Sequence, residues 1–225
     1  MLYDTVRRLA GVIATVLYRP TIEGRDHVPS TGPVILASNH LSFSDHIVIP
    51  LAVSRRVRFL AKSEYFTGPG LKGRLSKATF EALGAVPVKR GTNRDAMTSL
   101  HTGLDLLAHG EAFAVYPEGT RSRDGRLYRG RTGVAYLALT SGAPVVPVAL
   151  LGTQDLQPIG TRIPRIRPIT VRFGPAMDFS TGYDHIKPSK ARRVVTDDIM
   201  DAIAALSGQE QVEAYNTYPP TDDPT

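Results

Sequence analysis

The sequence predicts an α/β domain with a mainly parallel central sheet flanked by helices, and three observations carry that expectation. Short apolar runs recur at residues 33–38, 57–61, 85–88, 112–116, 145–151 and 169–173. They are continuous rather than alternating, as strands covered on both faces are. Helical patterns at 94–109, 132–141 and 189–206 separate most of them, giving the crossover lengths that parallel pairing requires. No repeat, low-complexity tract or Pro/Gly/Ser linker divides the chain, and 225 residues at 42% hydrophobic content suit one domain.

The elements follow in order. Residues 1–20 are expected to form an amphipathic helix in which Leu2, Val6, Leu9, Ile13, Val16 and Leu17 make an apolar stripe flanked by Arg7, Arg8 and Arg19. Such a helix lies on an anionic membrane surface or packs on the core. A signal peptide fits less well, because Asp4 precedes the apolar segment and no small-x-small cleavage site follows. No run reaches the ~18–20 apolar residues that span a bilayer, so peripheral association with the cytoplasmic face of the cell membrane is expected.

The domain proper is expected over 21–214. Its strand at 33–38 ends in Asn39 and His40, after which Ser44 and Asp45 read as a capped helix start, with Pro50 placing its continuation in question. Between 65 and 83, Phe66, Leu71, Leu75, Phe80 and Leu83 alternate with Lys72, Arg74 and Lys77, an amphipathic pattern that faces either a membrane or water. Gly68, Gly70 and Gly73 satisfy G-x-G-x-x-G, but the preceding strand ends at Ala61 and Val88-Lys89-Arg90 stand where a ribose-binding acid belongs. A loop entering the amphipathic segment explains them better than a dinucleotide does. Residues 215–225, with Pro219, Pro220, Asp222, Asp223 and Pro224, read as a loose tail.

A net charge of +6, with arginines and lysines clustered at 55–62, 72–77 and 121–131, calls for anionic partners. Nucleic acid is not expected, since aromatic and basic residues are not interleaved. The absence of cysteine excludes disulfides, thiolate metal sites and a cysteine nucleophile. No metal site is expected, and GK[ST], HExxH and GxSxG are missing.

The chemistry concentrates where strands end. His40 and Asp45 place an imidazole at the carboxyl end of a strand with a carboxylate one turn away, which could hold the Nδ1 proton and leave Nε2 as a base. The bland account is a packed histidine beside a helix-capping aspartate. The strand at 85–88 ends in Lys89 and Arg90, and the one at 112–116 in Glu118-Gly119-Thr120-Arg121. In a parallel sheet both ends open on the His40 edge, where Arg90 and Arg121 could clamp a phosphate. Glu118 reads as an arginine's partner rather than a base, and Pro147 as a plain strand residue or one wall of the site.

His40-x4-Asp45, Gly84 to Arg90, Glu118-Gly119-Thr120-Arg121 and Val146-Pro147 stand in the order and approximate spacing of the four motifs of glycerolipid acyltransferases. The chain resembles the bacterial 1-acylglycerol-3-phosphate acyltransferases, the PlsC-like group. The resemblance implies transfer of a fatty acyl group from acyl-CoA or acyl-carrier protein to a lysophospholipid or glycerol phosphate acceptor, without a further cofactor. It implies His40 as general base, Asp45 as its orienter, and Arg90, Glu118, Gly119, Thr120 and Arg121 as residues holding the acceptor's glycerol phosphate. The Val146-Pro147 segment corresponds to a motif tied to the acyl donor. Lys89 departs from the family pattern and adds either a phosphate donor or mere charge. The rival of a different class is a non-catalytic lipid-binding protein that keeps the fold and docks through its basic surface.

Overall fold

The computed structural model describes residues 18–89, 91–161 and 163–217. Its central sheet has seven strands: β1 (Thr21–Glu23), β2 (Val34–Ser38), β3 (Val57–Lys62), β4 (Ala85–Val88), β5 (Ala112–Val115), β7 (Val145–Leu151) and β8 (Thr170–Phe173). They lie in the order β1-β8-β7-β2-β5-β3-β4. β7, β2, β5, β3 and β4 run parallel, whereas β8 pairs with β7 antiparallel and β1 follows β8. The sheet is therefore mainly parallel, as the strand pattern implies. The chain turns back from β7 to β8 through a short helix and a loop rather than a full crossover, so an antiparallel return results.

β2 is central, and all five of its residues are fully buried. Val34 and Leu36 pack under helix α1 (Asp45–Ala52) with Val48, Ile49 and Ala52. Ile35 and Ala37 face the other way, toward α4 (Gly133–Ser141) and α6 (Pro188–Ser207), meeting Val134, Val195, Ile199 and Ile203. Burying each large aliphatic here contributes about 1.5–3 kcal/mol. α1 continues past Pro50 for two residues, so the missing amide falls in its last turn.

α2 (Gly70–Ala82) and α3 (Asn93–Ala108) flank β3 and β4. α3 opens with a capping box between Thr92 and Asp95, which satisfies two amides that a helix start leaves open. α5 (Thr153–Leu156) follows β7, and a second sheet pairs β6 (Leu127–Tyr128) with β9 (Gln211–Val212) in parallel. Strands as short as β1, β6 and β9 carry no readable periodicity.

The glycines of the G-x-G-x-x-G match are packing residues. A Cβ on Gly73 would lie 1.6 Å from the Gly68 carbonyl oxygen, and Gly70 has φ +69°. They let the chain fold tightly into α2, where the Ser76 hydroxyl bonds the Tyr65 carbonyl at 2.9 Å.

The expected helix over 1–20 falls mostly outside the described residues. Among those described, no helix is long and apolar enough to cross a membrane. The segment expected to be a loose tail is packed at its start: Asn216 is 2% exposed and bonds the Arg121 carbonyl at 3.1 Å. Residues 218–225 lie outside the description.

Because the obstruction at Gly73 is backbone, Gly73→Ala should lower unfolding free energy by about 1–3 kcal/mol. Urea denaturation followed by circular dichroism checks this, and unchanged stability would contradict the packing role.

Candidate active site

The chain after β2 is forced to turn within a few residues into α1, and one carboxylate organises that turn. Asp45 Oδ2 accepts the Leu41 amide at 2.7 Å and the Ser42 amide at 2.9 Å, and lies 2.9 Å from His40 Nδ1. Asp45 is fully buried and His40 is 8% exposed. With the Nδ1 proton donated to Asp45, Nε2 carries the lone pair, the tautomer a general base needs.

The imidazole plane is set by aromatic neighbours. Tyr116, the residue after β5, stacks on it at 3.9 Å and 16°, and His46 of α1 meets it edge-on at 5.1 Å. His46 in turn stacks on Phe59 at 5.1 Å. The Tyr116 hydroxyl is buried without a hydrogen-bond partner among the described residues. Burial, and secondarily the Asp45 charge, push the phenol well above its ordinary pKa, so it stays neutral.

The His40 backbone is held as firmly as its ring. Its amide donates to Glu118 Oε1 at 3.1 Å, and its carbonyl accepts the Ser122 amide at 2.7 Å. Glu118 Oε2 accepts the Tyr128 amide of β6 at 3.0 Å. Glu118 is fully buried and takes two backbone amides rather than an arginine. The expectation of an arginine's partner is thus corrected, and with no exposed surface Glu118 is not a direct phosphate ligand. Burial pushes its carboxyl up to about 7, against the lowering effect of those two amides.

Next to it, Asp124 ties the loop together, accepting from the Ser122 and Tyr128 hydroxyls and from the Arg126 amide and guanidinium. Burial opposes its ionisation, but these bonds hold it well below the usual carboxylate range. Gly119 has φ +80°, and a Cβ there would meet the Arg131 side chain at 2.9 Å. Thr120 and Arg121 are part-exposed at the rim.

Because β2, β3, β4, β5 and β7 are parallel, their carboxyl ends open on one edge. The Glu118–Arg121 loop follows β5, adjacent to β2, and is brought against His40. Lys89 follows β4, three strands from β2 and so about 14 Å away laterally, and is exposed. Arg90 lies outside the described residues.

Pro147 is not brought to the site. Strand alternation turns it with Val145 to the face opposite α1, and a Cβ on Gly174 would lie 2.8 Å from its ring and 2.9 Å from Leu206 of α6. Its carbonyl accepts the Gly174 amide at 2.8 Å.

Two supports carry no strong sequence signal. Asn39 is fully buried; its side chain bonds the Leu150 amide and carbonyl of β7 at 2.8 and 3.0 Å and Gln209 at 2.8 Å. Gln157 accepts the Ser42 and Ser44 hydroxyls at 2.8 and 2.6 Å. A polar residue ending an otherwise apolar strand is the one local hint, since it must find partners when buried.

A protein-family model described as Acyltransferase matches residues 19–151, more than half the chain. A chloroplastic 1-acyl-sn-glycerol-3-phosphate acyltransferase of Brassica napus is 33% identical over 171 residues, covering 72% of this chain and 48% of that protein. The chain belongs to the acyltransferase family.

A 1-acyl-sn-glycerol-3-phosphate acyltransferase of Chlamydomonas reinhardtii is likewise 33% identical over 168 residues, 70% of this chain and 49% of that one. This acyltransferase-family chain spans about half the length of the curated relatives it matches. The crystal structure of the acyltransferase PlsC from Thermotoga maritima superposes with a TM-score of 0.68 at 24% identity, covering 91% of this chain and 79% of that one, and shares the fold.

The raised Glu118 pKa gives a signed pH dependence. A buried acid with folded pKa near 7 contributes stability that is present below its unfolded pKa and lost as pH rises through 7. Glu118→Gln should flatten the fall in unfolding free energy between pH 4.5 and 7, a change on the order of 3 kcal/mol. Urea titrations across that range check it; an unaltered pH slope would contradict the assignment.

Proposed function

We propose that this chain moves a fatty acyl group from an acyl thioester to the free hydroxyl of 1-acylglycerol 3-phosphate, giving phosphatidic acid for phospholipid synthesis and a free thiol. The observation that carries the reading is the His40–Asp45 pair, 2.9 Å apart on a strand end shared with the Glu118–Arg121 loop. It gains support from curated relatives whose names state that activity.

In this reading His40 Nε2 removes the acceptor hydroxyl proton while the hydroxyl oxygen attacks the thioester carbonyl. Asp45 holds the tautomer and stabilises the imidazolium. The tetrahedral intermediate collapses by breaking the carbon–sulfur bond, and the proton held at Nε2 passes to the leaving thiolate. A thiolate leaves readily, so a positioned base and proximity suffice without an acyl-enzyme, and no cofactor beyond acyl-CoA or acyl-carrier protein is needed.

In this reading Arg121 and the Thr120 hydroxyl meet the acceptor's phosphate, with Lys89 and Arg90 extending the cationic rim. The Gly119 amide is already taken by the Tyr116 carbonyl at 3.0 Å, so Gly119 contributes its backbone turn rather than a donor. Glu118 acts through the His40 backbone rather than on the acceptor. The enzyme works as a peripheral protein on the cytoplasmic face of the cell membrane, where basic surface is drawn to anionic headgroups.

Thiol release from palmitoyl-CoA, read with a thiol-reactive dye, tests this cleanly because the chain has no cysteine. Release should depend on 1-acylglycerol 3-phosphate and fall about 10³-fold in His40→Ala with circular dichroism unchanged. Glycerol 3-phosphate and other lysolipids, compared at matched donor, rank the acceptors, and acyl-carrier protein replaces CoA in a parallel series. No release with any donor or glycerol phosphate acceptor would sink the reading and leave a non-catalytic lipid-binding protein.

Arg121→Ala should raise the acceptor KM about tenfold with kcat nearly unchanged, as loss of a phosphate contact would. Unchanged acceptor kinetics would remove Arg121 from the phosphate site.

A further inference from the structure

Of the large hydrophobic side chains exposed among the described residues, four stand out: Leu71 at 81%, Ile163 at 80%, Leu75 at 67% and Ile166 at 66%. Scattered single exposures need no explanation, but these fall into two pairs. Leu71 and Leu75 sit in the first half of α2, just after the carboxyl end of β3. Ile163 and Ile166 lie in the loop joining α5 to β8. Leu151 at the end of β7 pairs with Thr170 at the start of β8, so that loop is also at the carboxyl edge, where His40 lies.

The loop is built to present its side chains. All of residues 163–168, Ile-Pro-Arg-Ile-Arg-Pro, are exposed, and prolines 158, 164 and 168 restrict its backbone. It is pinned at its base, where the Arg165 amide donates to the Leu156 carbonyl at 2.7 Å and Gln157 Nε2 to the Thr161 carbonyl at 3.2 Å. Gln157 itself receives the Ser42 and Ser44 hydroxyls, so the arm is joined to the residues that follow His40.

We propose that residues 163–168 form a membrane-docking arm, in which Ile163 and Ile166 enter the headgroup layer of an anionic bilayer while Arg165 and Arg167 bind its phosphates. Leu71 and Leu75 of α2, beside Arg74 and Lys77, make the second point of contact. The arm follows β7 and α2 follows β3, three strands apart in the sheet, so the two points stand about 14 Å apart on either side of His40. Two separated exposed points, each pairing aliphatic with basic residues, match a broad, flat anionic interface. Docking through both would set the opening above His40 against the bilayer. The choice of a lipid partner rests on the acyl-transfer reading.

The full chain contains no tryptophan, so a single Trp reports its own surroundings. Ile166→Trp and Ile163→Trp are each mixed with phosphatidylcholine vesicles with and without phosphatidylglycerol, and with the same vesicles carrying brominated acyl chains. The expected result is an emission blue shift of about 10 nm or more and strong bromine quenching, both requiring the anionic lipid. Thr31→Trp, in the exposed turn before β2 at the opposite edge, should show neither.

The pair Arg165→Glu and Arg167→Glu in the Ile166→Trp background should weaken the vesicle response at least tenfold. Acyl transfer to a water-soluble short-chain acceptor should stay within about twofold. Tryptophans at 163 and 166 that stay water-like while the protein sediments with vesicles would overturn the arm. So would a shift produced by acidic acyl-carrier protein but not by vesicles, which would make the arm a protein dock. Loss of all acyl transfer with vesicle insertion intact would instead fault the functional reading.

Discussion

The Glu118 carboxylate is the joint on which the site depends. It bridges the His40 amide, just past the end of β2, and the Tyr128 amide, in the small second sheet. A carboxylate with no exposed surface is expensive to keep there, and its raised pKa measures that expense. The two charge-assisted amide bonds offset part of it, and they satisfy donors that would otherwise be buried without partners. The same segment returns to His40 through Ser122, so Glu118 and Ser122, which flank Gly119 to Arg121, are both fastened to the His40 main chain. The rim that carries Arg121 and the imidazole of His40 consequently share one backbone frame.

Division of labour between two carboxylates follows from this. Asp45 fixes the ring and the turn into α1, while Glu118 fixes the main chain from the opposite side. Tyr116 adds the third constraint, a neutral ring stacked on the imidazole. An imidazole so confined has little rotamer freedom left to lose, which is what positioning would contribute if it serves as the base proposed above.

Much of the architecture was legible because it is local. Val34 to Ala37 are continuously apolar since both faces of β2 are covered, and the helices advertise themselves by apolar spacing. His40 and Asp45 were legible as a pair because five residues separate them. Glu118 was misread because its partners lie 78 and 10 residues away, and no pattern around it distinguishes an amide acceptor from an arginine's partner. For Pro147 the choice between a plain strand residue and a wall of the site stays open in the sequence, because a run buried throughout, unlike an alternating one, hides which side each residue takes. The end of the chain looked loose by composition, yet Asn216 and Tyr215 find long-range partners in the 121–131 loop.

Those partners bear on which arginines are available to an anion. Arg129 and Arg131 lie 5.6 and 5.5 Å from the Tyr215 ring, contacts worth about 0.5–1 kcal/mol at exposed sites. Arg126 is engaged with Asp124 at 2.7 Å. The loop's positive charge is thus apportioned: one arginine locks the loop and two rest against the C-terminal strap. That strap also reaches the other side of His40, because Gln209 joins the Asn39 amide to the Gly125 carbonyl. Any ligand that draws Arg131 from Tyr215 would exchange a weak cation–π contact for a charge-assisted bond, an exchange the energies favour. The strap therefore keeps positive charge beside Gly119 without neutralising it, and the frame that orients the His40 imidazole also holds cations in reserve.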